Sequence, residues 1–174
     1  MYLISVYFDD VATKTIQRYI KQVANKTGNM FMIDGKVPPH ITVLGMETKH
    51  EDILIEKLER VIKKCQSGTV QWASVGVFFP YVLYIAPVLN FYLHSLLQQI
   101  YEEVEGIQET KISPYYRPFQ WFPHTTIGKK LTKEQMQMGF QVMQDSFGMF
   151  EGRVVRIGLS KTNPYRELKN WELN

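Results

Sequence analysis

Apolar residues recur along this chain in two rhythms, one of strands and one of helices. Residues 2–8, YLISVYF, are almost unbroken β-branched and aromatic positions and predict a buried strand. Asp9 and Asp10 then supply the negative charge that favours a helix start, and Ile16, Tyr19, Ile20 and Val23 fall on one face of a helix running to about residue 26. Gly28 and Asn29 stop it. The stretch MFMIDGKVPP reads as a loop ending in a Pro-Pro pair that forces extended backbone, and HITVLGM after it reads as a short strand. His50, Glu51 and Asp52 open a helix with Leu54, Leu58, Val61, Ile62 and Cys65 on its face, ended by Ser67 and Gly68.

Residues 69–79 and VLYIAPV predict a hairpin punctuated by Pro80, followed by a helix over about 89–104 carrying Leu93, Leu96, Leu97, Ile100 and Tyr101. The chain is irregular from Gly106 through ISPYYRPFQWFP and then enters HTTIGKK, a strand. Thr132 caps a helix to about Phe147, and GRVVRIGLSKT and YRELKNWEL give two strands around an Asn-Pro turn. The order strand, helix, strand, helix, strand occurs twice, with a junction near Pro80 and one extra strand at the end. The pattern predicts a single domain made of two like halves, about 1–80 and 81–174, which a pseudo-twofold axis could relate.

Each half carries the same short motif where its central loop enters a strand: Pro39-His40-Ile41-Thr42-Val43 and Pro123-His124-Thr125-Thr126-Ile127. Side chains at i and i+2 of a strand share a face, so His40 points with Thr42 and His124 with Thr126. A pseudo-twofold arrangement brings both pairs to one cleft. Imidazole titrates near neutrality, so one histidine can accept a proton while the other donates one. Two threonine hydroxyls can hold the non-bridging oxygens of a phosphate between them. With acid and base both supplied by histidine, this chemistry closes without a metal or other cofactor. Of the chain's 4 histidines, His50 at a helix start reads as a solvated residue and His94, beside Leu93 and Leu96, as a packing residue.

Composition narrows the setting. Hydrophobic residues are 45% and charged residues 21% of 174, enough for a core without staples. A net charge of +3 tolerates a polyanionic partner without demonstrating one. Cys65 is the only cysteine, which excludes an intrachain disulfide and a cysteine-based zinc site, and its helical spacing makes it a structural thiol. The first residues lack a basic region, and no apolar run reaches the ~18 residues of a membrane span. A cytoplasmic monomer is the expectation. No Gly-rich phosphate loop, carboxylate pair or metal-ligand cluster competes with the histidines for the site.

The tetrads HITV and HTTI resemble the paired signature of the 2H phosphoesterase superfamily, which contains the bacterial 2′-5′ RNA ligase proteins and RNA cyclic phosphodiesterases. The resemblance covers essentially the whole chain. It implies an α+β, bilobal fold, with antiparallel sheets lining a central cleft and helices outside. It also implies an enzyme that opens 2′,3′-cyclic phosphates on RNA ends or nucleotides, with His40 and His124 as acid and base and Thr42 and Thr126 as phosphate ligands. Family members often place a cation shortly after the second tetrad, which points to Lys129, with Lys130 beside it. In the preceding loop, Tyr115, Tyr116, Phe119 and Trp121 offer rings for a base and Arg117 a charge for phosphate, though a long loop also packs with such residues. Tyr165, on the last turn, is a candidate for the cleft rim. The same phosphate chemistry admits 2′-5′ ligation and 2′-5′ or cyclic-oligonucleotide cleavage. A non-catalytic RNA- or nucleotide-binding module is the reading from another class.

Overall fold

The computed structural model describes residues 1–174. Eight strands and five α-helices alternate: β1 (Tyr2–Phe8), α1 (Asp10–Thr27), α2 (Phe31–Asp34), β2 (Ile41–Glu47), α3 (Glu51–Ile62), β3 (Gly68–Phe78), β4 (Val82–Pro87), α4 (Phe91–Val104), β5 (Lys111–Ile112), β6 (Thr125–Lys129), α5 (Lys133–Ser146), β7 (Phe150–Lys161) and β8 (Arg166–Glu172). All pairings are antiparallel, in the order β5-β2-β1-β7-β3-β4-β6, with β8 also on β7. The loop expected over residues 30–39 contains the single turn α2, begun where the Asn29 carboxamide oxygen accepts from the Phe31 N–H. The irregular segment 106–122 holds the two-residue β5 and a 3₁₀ turn over Pro114–Tyr116.

Local chemistry sets the helix ends. Asp9 caps α1, its carboxylate accepting from the Ala12 N–H at 2.8 Å, and Gly28 closes it in the left-handed region at φ 70°, where glycine carries no Cβ penalty. Thr132 and Gln135 form a reciprocal capping box at the start of α5. Along α1, Ala12, Ile16, Tyr19, Ile20 and Val23 are all buried, so one stripe is committed to packing and the other to solvent.

β7 is the seam of the sheet. Its first residues, Phe150–Val154, pair with β3, while Val154–Lys161 pair with β1 and Arg156–Lys161 with β8. One arm therefore holds β5, β2 and β1, and the other β3, β4 and β6. Each arm has its own helix pair, drawn from both halves of the sequence. α1 and α5 pack on each other and on the β4–β6 arm, while α3 and α4 pack on each other and α4 on β2. A single hydrophobic cluster of 35 buried residues runs through both arms, so the two lobes share one core.

Trp72 is the largest fully buried side chain in that cluster. Its ring stacks on Phe150 at 4.8 Å, meets Phe8 edge-on at 4.7 Å, and its Nε1–H donates to the Thr125 hydroxyl at 3.1 Å. The methionines Met136 and Met143 are core residues of α5. Cys65 is half-buried; its thiol donates to the Val61 carbonyl, and burial raises it above the ordinary thiol range, away from nucleophilic behaviour. No helix is long and apolar enough to cross a membrane.

Candidate active site

Both histidines stand one residue before a strand and are held in the same way. The Nδ1 of His40 lies 2.8 Å from the Pro38 carbonyl, and that of His124 lies 3.0 Å from the Phe122 carbonyl, each two residues back. A carbonyl oxygen only accepts, so Nδ1 carries the proton in both rings. Each Nε2 is thereby left as the basic nitrogen of a neutral imidazole. The proline before each histidine fixes the extended backbone that makes this two-residue bond geometrically available.

The strands behind the histidines repeat a second feature. β2 pairs Thr42 with Ser5 and then Leu44 with Ile4, leaving Val43 as an extra residue. β6 pairs Thr126 with Tyr84 and then Gly128 with Leu83, leaving Ile127 as the extra residue. Each is a one-residue bulge directly after the tetrad threonine, and each resets the alternation of faces. A Cβ on Gly128 would meet Leu131, Val23 and Leu83, which places Gly128 on the core side. Its neighbour Lys129, across from Val82, therefore returns to the face of His124 and Thr126. A regular strand would have sent it to the other face. In the first half the equivalent of Lys129 is Gly45, which lies under the ring of Tyr116.

Around His40 the surroundings are polar. The Thr42 hydroxyl is 3.5 Å from that of Ser5, and the Tyr7 ring is 6.1 Å from the imidazole. Arg156 stacks over Tyr7 at 4.1 Å, with one guanidinium N–H donating to Asn170 at 2.8 Å. Burial, followed by the neighbouring Tyr165 hydroxyl, pushes the Tyr7 phenol well above its ordinary value, which keeps it a neutral hydroxyl. Tyr165, the residue expected at the cleft rim, is thus a neighbour of Tyr7. His124 sits instead among rings: Phe78 edge-on at 4.8 Å and Tyr84 at 5.6 Å, with Phe122 contacting both of them.

Both imidazoles titrate below the ordinary 6.5. Burial is the main cause for each, because a desolvated imidazolium loses its hydration. For His40 the positive charges of His124 and Lys129 add to it, which places both of those groups within electrostatic reach of His40.

The other residues expected at the site fall in different places. Trp121 offers no face to a base: its ring is buried, and its Nε1–H donates to the Thr42 carbonyl at 3.0 Å, making it a brace for the first tetrad. Tyr115 is 78% exposed and Arg117 is exposed, both turned away from the packed side of their loop that Tyr116 and Trp121 occupy. Phe119 rests on His94 at 4.8 Å. Lys130, in the left-handed region at φ 56°, lies over the Phe31 ring. Sequence reasoning missed Tyr7, Arg156, Phe78 and Tyr84. Ser5 within an apolar strand, and Arg156 within VVRIGLS, were the available signals that one face of those strands is not core. No group of three or more His, Cys, Asp or Glu side chains is placed to hold a metal ion.

The chain matches the family model of the 2′-5′ RNA ligase superfamily over residues 9–166. It belongs to that superfamily. The resemblance read from the tetrads therefore holds, and solved structures of the superfamily's fold agree with it. The chain is similar to E. coli LigT complexed with 3′-AMP, at a TM-score of 0.59 and 15% identity, covering 99% of this chain and 97% of that one. TT0787 of Thermus thermophilus gives 0.59 and 14% identity over 99% and 97% of the two chains. Usb1 of Kluyveromyces marxianus gives 0.53 and 14% over 96% of each. At these identities the likeness is one of fold. No curated protein matches the chain by sequence.

Proposed function

We propose that the protein is a metal-independent phosphoesterase of RNA ends or nucleotides that hydrolyses 2′,3′-cyclic phosphodiesters with His40 as base and His124 as acid. The observation that carries this reading is the identical tethering of both imidazoles through Nδ1, which leaves an Nε2 free on each of two rings close enough for the charge of one to act on the other. Thr42 and Thr126 hold the non-bridging oxygens, and Lys129 supplies positive charge for the phosphate. His40 Nε2 takes a proton from water as the water oxygen bonds to phosphorus. The bond from phosphorus to the 2′ or 3′ oxygen breaks, and His124 Nε2–H protonates the departing oxygen. The product is a nucleoside monophosphate, and proton exchange with solvent resets the pair. Support for this division comes from the unequal surroundings: Lys129 opposes a charge on His40 and is not among the causes acting on His124, so a proton shared by the pair favours His124. The crystal structures of E. coli LigT with 3′-AMP and with phosphate, in the same fold, support a phosphate-bearing nucleotide in the cleft.

The test is turnover of nucleoside 2′,3′-cyclic phosphates and of cyclic-phosphate-ended RNA in excess EDTA. Hydrolysis in chelator is expected, and a 2′- or 3′-phosphate product identifies the leaving oxygen. A wild-type protein that leaves all these substrates intact at mildly acid as well as neutral pH overturns the proposal.

The pH profile follows from the lowered histidines. His124 must hold its proton to act as acid, and its folded-state value lies below 6.5, so kcat/KM falls as pH rises through that value. The kcat/KM optimum is therefore expected on the acid side of 6.5. A bound phosphodiester anion raises both imidazoles, so the kcat optimum lies at higher pH than that of kcat/KM. Lys129→Met removes one of the charges that hold His40 down, and moves the acid limb of kcat/KM upward. An acid limb unmoved by this substitution would show that Lys129 does not act on the base.

A further inference from the structure

The loop between α4 and β6 joins the two half-sites. Its start pairs with the end of β2, Ile112 with Met46 and Lys111 with Glu47. The Ser113 N–H donates to the Gly45 carbonyl at 2.9 Å, and the 3₁₀ turn then lays the Tyr116 ring over Gly45. A Cβ at Gly45 would stand 2.9 Å from that ring, so the contact depends on glycine. The Thr42 hydroxyl is among the neighbours of the Tyr116 phenol, and the buried Trp121 donates its Nε1–H to the Thr42 carbonyl at 3.0 Å. Three residues after Trp121 comes His124.

This arrangement answers a need created by the bulge. A bulge disrupts the ladder, and the Thr42 carbonyl at its edge requires a donor if it is to stay buried in one orientation. The donor comes from an indole 79 residues away in sequence rather than from the adjoining strand. We propose that residues 111–121 are a strap, with Tyr116 and Trp121 as positioning residues that hold Thr42 against the phosphate and fix its place relative to His124. The inference rests on the reading that a phosphate is bound between the tetrads.

The experiment is a set of cycles on the full chain: Trp121→Phe, Tyr116→Phe and Gly45→Ala, each alone and combined with Thr42→Ala. Tyr116→Phe keeps the ring and removes only the hydroxyl, Trp121→Phe keeps an aromatic ring but removes the N–H together with part of the indole, and Gly45→Ala displaces Tyr116 without substituting a strap residue. With 2′,3′-cyclic AMP, each single variant is expected to lower kcat about tenfold while KM moves far less, because misplacement of a transition-state ligand acts on kcat. In the Thr42→Ala background the same changes are expected to have little further effect, as coupled residues are not additive. Undiminished kcat in Trp121→Phe, or a full loss on top of Thr42→Ala, overturns the strap. If the wild type turns over no cyclic nucleotide, it is the functional reading that has failed. The strap is then read from calorimetric affinity for inorganic phosphate in the same cycles. Weaker binding in Trp121→Phe, without additional weakening in the double variant, sustains it, and wild-type affinity in Trp121→Phe overturns it.

Discussion

Alanine at either His40 or His124 lowers kcat for cyclic nucleotide hydrolysis about 10²- to 10⁴-fold, the range expected when a positioned acid or base is removed. The two losses do not multiply. Once one proton transfer has no carrier, the second histidine has no concerted step to serve, so the double variant resembles the worse single variant. KM is expected to change less, because in the proposed site Thr42, Thr126 and Lys129 still hold the phosphate. Single-turnover rates with His40→Ala, His124→Ala and the double variant decide the matter, with thermal melting run alongside. Both imidazoles are only partly buried, and the fold is expected to be retained in all three. A variant that keeps its rate would remove that histidine from the chemistry. A double variant whose loss equals the product of the single losses would show two independent contributions instead of one concerted exchange.

The second large effect belongs to Trp72. Its replacement by alanine removes a fully buried ring wedged between Phe8 and Phe150, at a cost of about 3–5 kcal/mol. It also strands the Thr125 hydroxyl, which is buried, for about 1–3 kcal/mol more if no water reaches it. A domain of this kind has a total stability of about 5–15 kcal/mol, so Trp72→Ala is expected to remove a large share of it. Trp72→Phe keeps most of the ring contact and loses the N–H donor, and should cost only the smaller amount. Because Thr125 lies between His124 and Thr126, that variant should also lose turnover while remaining folded. Urea unfolding with parallel kinetics separates the two effects; a Trp72→Ala protein as stable as the wild type would contradict the packing argument.

The paired tetrads are legible in the sequence because they depend on nearby residues alone. Proline, histidine and threonine at fixed spacing determine which side chains share a face, and the Nδ1 tether reaches back only two residues. The helices are legible for the same reason, from their apolar stripes and caps. Trp121 is misleading because its role depends on a carbonyl 79 residues away, and an aromatic residue in a long loop carries no local mark of what it will meet. Lys129 shows a different limit. Its face depends on the bulge at Ile127, and a bulge is a property of strand pairing that the alternation of a single strand does not reveal. Arg156 and Tyr7 look like parts of ordinary strands, although a charge in mid-strand and a serine among aliphatics both mark the cleft face.

The exchange of helices between the arms has a consequence for how the chain is made. The apolar stripe of α1 is covered by α5 and β6, and β1 has no partner on one side until β7 exists. On the ribosome, Ile16, Ile20 and Val23 must therefore wait while more than a hundred further residues emerge, on the order of ten seconds at ordinary synthesis rates. Neither half can finish ahead of the other. Folding is a late event on the nascent chain, and in that interval the sticky N-terminal segment is what a chaperone would find.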